Sequence, residues 1–264
     1  VPVPVPETSE LVRAEVDSGV LAISLNRPAK RNALNRAMIE DLCVLIRWAG
    51  HQPAVRSLML HGNGSAFCAG DDLSGLGPVH GVGPSDSTEL DAYQPVIYAL
   101  LRLRKPSIAA VNGPAHGAGM ELALACDLRI GAEGCNFGPV TALFGGASFT
   151  SLLPLYVGVP TARRLLYFSR PVPANEALNL GLLDEVTQDG DVLDRTRTVA
   201  RELAVGPTQA YGQIKYALLL GMAPQLFSSL ILEDEITRAS MQTSDAREGS
   251  IAHAERRPPE FTGE

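Results

Sequence analysis

Twice in the first half of the chain the sequence runs strand, glycine-rich loop, helix, and this repeat constrains the fold more than any other feature. "VRSLML" (55–60) reads as a short buried strand that leads into "HGNGSAFCAGDDLSGLG". The spacing then predicts a helix from about Thr88 to Leu103, with Leu90, Tyr93, Ile97, Leu100 and Leu101 inward. "SIAAV" (107–111) leads in the same way into "NGPAHGAG" and a helix beginning around Glu121. Strands separated by helices pair in parallel, so their carboxyl ends, and the loops that leave them, gather along one edge of the sheet. An α/β architecture follows, with its site on that edge.

The remaining segments extend this frame. Residues 11–25 read as two strands about the turn Asp17-Ser18-Gly19, with Leu21, Ile23 and Leu25 alternating into a core. Asn35 is the expected N-cap of a helix to about Ala49, with Met38, Leu42, Leu45, Ile46 and Ala49 on one stripe. Beyond about Pro160 the strand signal fades, and helices are expected at 161–168, 174–180, 191–204, 208–220 and 224–242. Within the last of these, Glu233, Asp234 and Glu235 read as a solvated face. The organisation is then a mobile proline-alternating arm over 1–10, a core over 11–200 and a helical region over 201–264. Residues 78–86, rich in Gly, Pro and Ser, are expected to be mobile.

With 264 residues, 45% of them apolar and 19% charged, the chain suits one large α/β domain, or one with an extension. Its net charge of −7 excludes general nucleic-acid binding, which demands a basic face. Cys43, Cys68, Cys126 and Cys135 form no CxxC pair, which predicts reduced thiols in a cytoplasmic protein. No run is apolar over transmembrane length and no signal peptide is read, so no membrane partner is expected.

Most uses of glycine-rich loops fail on inspection. "GAGMEL" lacks the third glycine of a dinucleotide fingerprint, which leaves a dinucleotide-binding protein as a weak alternative. There is no GK[ST], no GxSxG and no metal-ligand spacing. One use survives: loops of small residues present bare backbone N–H groups to an oxygen that becomes negative. Ala118 ends its loop at a helix N-terminus, where orphan donors and the dipole favour an anion. A second N–H from residues 68–72 would complete an oxyanion hole, each donor contributing about 3 kcal/mol in a transition state. Glu121, one turn on, is then within reach of the carbon beside that oxygen. A first-turn glutamate is commonly no more than a favourable partner of the dipole. Here its downstream neighbours are apolar, so an idle carboxylate would be half-buried at a cost.

"NRPAKRNALN" (26–35), "FCAGDDL" (67–73), "KPSIAAVNGPAHGAGMELALACDLRI" (105–130), "NFG" (136–138), "ALNLGLLDEV" (177–186) and "EGSIAHAERRPPEF" (248–261) together resemble the enoyl-CoA hydratase/isomerase family, the crotonase superfamily. The resemblance spans nearly the whole chain in family order. It implies a crotonase-like spiral of ββα units, a C-terminal helical region used in trimerisation, homotrimers or dimers of trimers, and an acyl-CoA thioester partner. Coenzyme A would enter as part of the substrate, with no permanently bound cofactor. Carried over by position, the N–H groups of Asp71 and Ala118 match the oxyanion hole. Ala33, Ala69, Asp72 and Leu73 match the loops that hold adenine and pantetheine. Arg27, Lys30 and Arg31 form a local basic patch suited to CoA phosphates, with Arg256 and Arg257 as further candidates, and Glu121 matches the first of two catalytic glutamates.

The second glutamate has no counterpart. Where the family carries an acid, this chain reads "NFGPVTALFGGASF", with Val140 or Thr141 at the position, and no Asp or Glu lies between Glu133 and Glu176. Candidate substitutes are Asp71, Asp86, Glu89, Asp91 and His116, while Asp127 reads as a structural acid. The expectation is therefore an acyl-CoA enzyme of hydratase or isomerase type with Glu121 as acid/base. A divergent decarboxylase or thioesterase, or a non-catalytic acyl-CoA-binding member, are the alternatives.

Overall fold

The computed structural model describes residues 3–72 and 93–263. β1 (Val12–Asp17) and β2 (Val20–Leu25) form the expected antiparallel hairpin. Asn35 caps α1 (Arg36–His51), its side-chain oxygen accepting from Met38 N at 3.1 Å. The apolar stripe of α1 is buried as its spacing predicts. β3 (Ser57–Gly62) begins two residues later than expected, followed by α2 (Gln94–Arg102) and β4 (Ser107–Val111). The first part of the expected Thr88–Leu103 helix, with Leu90, and the 78–86 segment lie outside the described residues.

The larger sheet has the order β1-β2-β3-β4-β6-β9, where β6 is Leu128–Ala132 and β9 Glu185–Thr187. Every pairing except β1–β2 is parallel. All five residues of β4 are buried, as a strand covered on both faces requires. β5 (Ala115–His116), β7 (Asn136–Gly138) and β8 (Val172–Pro173) make a second, smaller sheet. β8 and β9 are too short for alternation to show, which is why the strand signal fades after Pro160.

The helices are α3 (Ala118–Leu124), α4 (Leu153–Phe168), α5 (Ala174–Asn179), α6 (Val192–Val205), α7 (Thr208–Met222), α8 (Leu226–Ser240) and α9 (Ser244–Glu255). The helix expected over 161–168 is the second half of α4, which is interrupted at Gly158 just before Pro160. α9 escaped periodicity because its buried face is made of Ala246, Gly249 and Ala252, all too small to register as apolar. The N-terminal arm is tied down at Ser9, whose N and Oγ donate to Asp41 Oδ2 at 3.0 and 2.5 Å. Asp127 is structural: its Oδ2 accepts from Ser107 N and Oγ at 2.8 Å and from Lys215 Nζ at 2.9 Å. The four cysteines are free and buried. Burial pushes the thiols of Cys68, Cys126 and Cys135 up to about 12, so they stay protonated.

Candidate active site

Parallel pairing of β3 with β4 brings the loops that follow them to the same sheet edge, and main-chain bonds lock them together. Phe67 N and Cys68 N donate to Pro114 O at 3.1 and 3.2 Å, and His116 N returns to Cys68 O at 2.9 Å. The 26–35 loop joins through Leu34 N to Gly70 O at 2.7 Å and Asp72 N to Leu34 O at 2.8 Å. These bonds flank Asp71, whose own N–H is left out of the ladder. Gly117, at φ 54° and ψ −129°, adopts a conformation that a Cβ would strain, and it turns the chain so that Ala118 N heads α3. A Cβ on Gly119 would stand 2.3 Å from Cys68 O, so the first turn of α3 rests directly on the 68–70 backbone. A Cβ on Gly70 would lie 3.5 Å from Ala118 N. The two turns that carry Asp71 and Ala118 are thus in backbone contact.

Beside them opens a cavity of about 650 Å³. Lys30, Arg31, Ala69, Asp71, Asp72 and His116 form one wall, and Val140, Thr141, Leu143, Phe144, Phe149 and Met241 a largely apolar one. Val140 and Thr141, the residues at the departure read from the sequence, both line this wall. His116 Nε2 pairs with Asn136 Oδ1 at 2.6 Å. Arg257 reaches the cavity while its guanidinium is held by Glu248 and Glu255 at 2.5 and 2.6 Å.

Two of the residues expected to meet the ligand lie off this cavity wall. Arg27 is absent from the cavity wall: its Nη1 donates to Asp72 Oδ2 at 2.5 Å and to Ala33 O at 3.1 Å, clasping the two loops together. Ala33 is buried beneath that clasp and does not line the cavity either. Leu73, Asp86, Glu89 and Asp91 lie outside the described residues.

Glu121 is fully buried on α3, behind the cavity wall. Among the described residues no donor stands in hydrogen-bonding geometry to either of its oxygens. Burial raises its proton affinity well above the ordinary carboxylate range; the nearby Glu233 charge adds to this, the Tyr93 hydroxyl opposes it, and Asp71 raises it further. Asp71 is itself pushed up to about 7 by burial, with its own backbone N–H pulling the other way. Burial, then Glu121, Asp71 and Glu233, raise Tyr93 in turn.

Glu233 overturns the expectation of a solvated acidic face. It is 1% exposed, accepting from Phe149 N at 2.9 Å through Oε1 and from Ser151 N at 2.7 Å and Thr150 Oγ1 at 3.1 Å through Oε2. Only Glu235 is exposed; Asp234 is half-buried and pairs with Arg238. The signal was present: Glu233, Thr237 and Ser240 recur at helical spacing on α8, and all three bond the 147–151 loop.

A family model, enoyl-CoA hydratase/isomerase, matches residues 15–264. The chain belongs to this family. It is 36% identical over 255 residues to a probable enoyl-CoA hydratase of Rhodobacter capsulatus, covering 96% of this chain and 98% of the relative. It is 34% identical over 260 residues to a 1,2-epoxyphenylacetyl-CoA isomerase of Escherichia coli, covering 96% and 99%. An enoyl-CoA hydratase structure from Mycobacterium avium subsp. paratuberculosis superposes with a TM-score of 0.85 at 25% identity, covering 98% of this chain and all of that one. The α/β crotonase fold implied by the sequence motifs is therefore the fold of this enoyl-CoA hydratase/isomerase family member, and the two loops and α3 occupy its sheet edge.

Proposed function

We propose that this protein processes acyl-CoA thioesters through an enolate, with the thioester oxygen received by the N–H groups of Asp71 and Ala118 and Glu121 exchanging a proton with the α-carbon. The observation that carries this reading is the backbone contact between the Gly70–Asp71 and Gly117–Ala118 turns, with Glu121 in the first turn of α3 behind them.

In the hydration direction a water oxygen adds to the β-carbon of an enoyl thioester. The double-bond electrons pass to the thioester oxygen between the two N–H groups. Glu121, carrying its proton, delivers it to the α-carbon as the carbonyl re-forms. The water must lose a proton, and the Asp71 carboxyl on the cavity wall, titrating near neutrality, is suited to receive it. Isomerisation needs one carboxyl alone, which takes a proton from one carbon and returns it to another. Val140 and Thr141 on the wall supply no second carboxyl to either reaction.

Lys30 and Arg31 at the cavity wall are the residues that would meet CoA phosphates. A homotrimer or dimer of trimers is part of the same reading: Ile214 and Leu218 on α7 and Ile231 and Leu232 on α8 are exposed apolar side chains suited to subunit contact. Light scattering of the purified protein tests it, and a monomer would refute it.

The function is tested by following the conjugated thioester absorbance of crotonyl-CoA and longer enoyl-CoAs, with binding measured in parallel. Turnover that disappears in Glu121→Gln supports the reading. Tight binding without turnover across the panel would instead identify a non-catalytic acyl-CoA-binding protein.

A further inference from the structure

Glu233 has no place in the reaction just described, yet it is the most heavily bonded carboxylate near it. All three of its donors come from consecutive residues of one loop, and two of them are backbone N–H groups. Between those two amides Phe149 sits at φ 63°, a left-handed conformation that a bulky side chain adopts only when its surroundings impose it. Thr237 and Ser240, one and two turns along α8, fix the same loop: Thr237 Oγ1 donates to Ala147 O at 2.7 Å, and Ala147 N donates to Ser240 Oγ at 3.0 Å. The imposed Phe149 ring is 4% exposed, lines the cavity, and would stand 3.9 Å from a Cβ on Gly117, the residue that aims Ala118 N.

The three donors directed at Glu233 need both of its oxygens as acceptors, because a hydrogen on either oxygen would set a donor against an N–H or O–H group. Glu121 N donates to Gly117 O at 3.2 Å, Phe149 packs on Gly117 and Phe149 N is held by Glu233, so the two acids share one buried neighbourhood in which the Glu233 carboxylate acts on Glu121. Two ionised carboxylates have no hydrogen bond to make with each other, and no donor among the described residues meets Glu121 in bonding geometry. A protonated Glu121 removes the conflict, since it can donate to Glu233.

We propose that Glu233 is a positioning residue: the loop-locked carboxylate against which Glu121 keeps its proton and its orientation, and which seats Phe149 behind the Gly117–Ala118 turn. The groups facing Glu121 are then Asp71 from the loop after β3, Tyr93 ahead of α2 and Glu233 from α8. The proposal deepens the reading of Glu121 as the acid of the site, because it states why that acid is loaded before substrate arrives.

Its test uses the free, full-length protein, so it stands apart from whether any enoyl-CoA is turned over. Infrared difference spectra between wild type and Glu121→Gln, taken across pH, follow the protonated-carboxyl stretch of Glu121. The band is expected at pH 7 in wild type and absent from Glu121→Gln. In Glu233→Gln its titration moves down by about one unit or more, and the alkaline limb of kcat/KM moves down with it; Glu233→Asp, which keeps the charge, restores both toward wild type. A role confined to packing would lower activity without moving either titration. Should Glu233→Gln fail to fold, Thr150→Val removes one donor to Glu233 and makes its oxygens stronger acceptors; the Glu121 titration then rises. An ionised Glu121 at pH 7 in wild type, an unmoved titration in Glu233→Gln, or an unmoved or lowered one in Thr150→Val would each overturn the proposal.

Discussion

Replacing Asp71 by Asn separates its two contributions, because the backbone N–H remains while the ionisable carboxyl is removed. Burial raises that carboxyl from 3.8 to about 7, so the folded protein binds a proton more tightly than the unfolded chain does. A raised carboxyl therefore costs stability as pH climbs: the loss begins near the unfolded value, accumulates between about pH 4 and 7, and is constant above. Slightly more than three units at 1.36 kcal/mol each sets a ceiling of about 4 kcal/mol. The measured value should fall below it, since Asp71 is only half-buried and lines the cavity. Asp71→Asn is thus expected to match wild type near pH 4 and to exceed it by a few kcal/mol at pH 8. Denaturant unfolding at one-unit pH steps and fixed protein concentration measures the difference. A variant equally stable at every pH, or weaker than wild type at pH 8, would refute the reasoning.

Glu121→Gln should lower turnover by roughly 10²–10⁴-fold while acyl-CoA binding, followed calorimetrically, changes little. Gly119→Ala places a methyl group 2.3 Å from Cys68 O, forcing α3 away from its neighbouring loop. A stability loss of about 1–3 kcal/mol and loss of turnover are expected, and a wild-type melting curve would contradict the packing. Lys30→Ala with Arg31→Ala should weaken acyl-CoA binding by about tenfold or more at low salt and flatten its salt dependence. Arg27→Ala should leave that salt dependence intact and instead lower thermal stability, because its partners are Asp72 and Ala33 O.

Much of the scaffold was legible because its signals are local. The Asn35 cap, the α1 stripe, the hairpin of β1 and β2 and the short, mostly apolar β4 each follow from residues close in sequence. The two glycine-rich loops were legible for a different reason: parallel strands leave their loops nowhere but the shared edge. The partners of Arg27 and Glu233 were not legible, on the same ground. Both are charged residues in segments that look solvated when read alone, and both are claimed by partners distant in sequence, Asp72 for the one and the 149–151 loop for the other. Composition says that a charge seeks water; only tertiary contact reveals one that has found buried donors or acceptors instead. The absence of an acid at Val140 and Thr141 is plain in the residues themselves, and both positions line the cavity.

If an enolate forms between residues 71 and 118 with Glu121 as its proton partner, even an unreactive acyl-CoA must exchange its α-protons. Incubating the protein with a saturated acyl-CoA in deuterium oxide and following α-carbon exchange tests this directly, whichever product the enzyme normally makes. Deuterium should enter the α-position at a rate that rises with pH as Glu121 loses its proton, and exchange should fall by roughly 10²-fold or more in Glu121→Gln. No exchange at any pH, or exchange undiminished in Glu121→Gln, would contradict it.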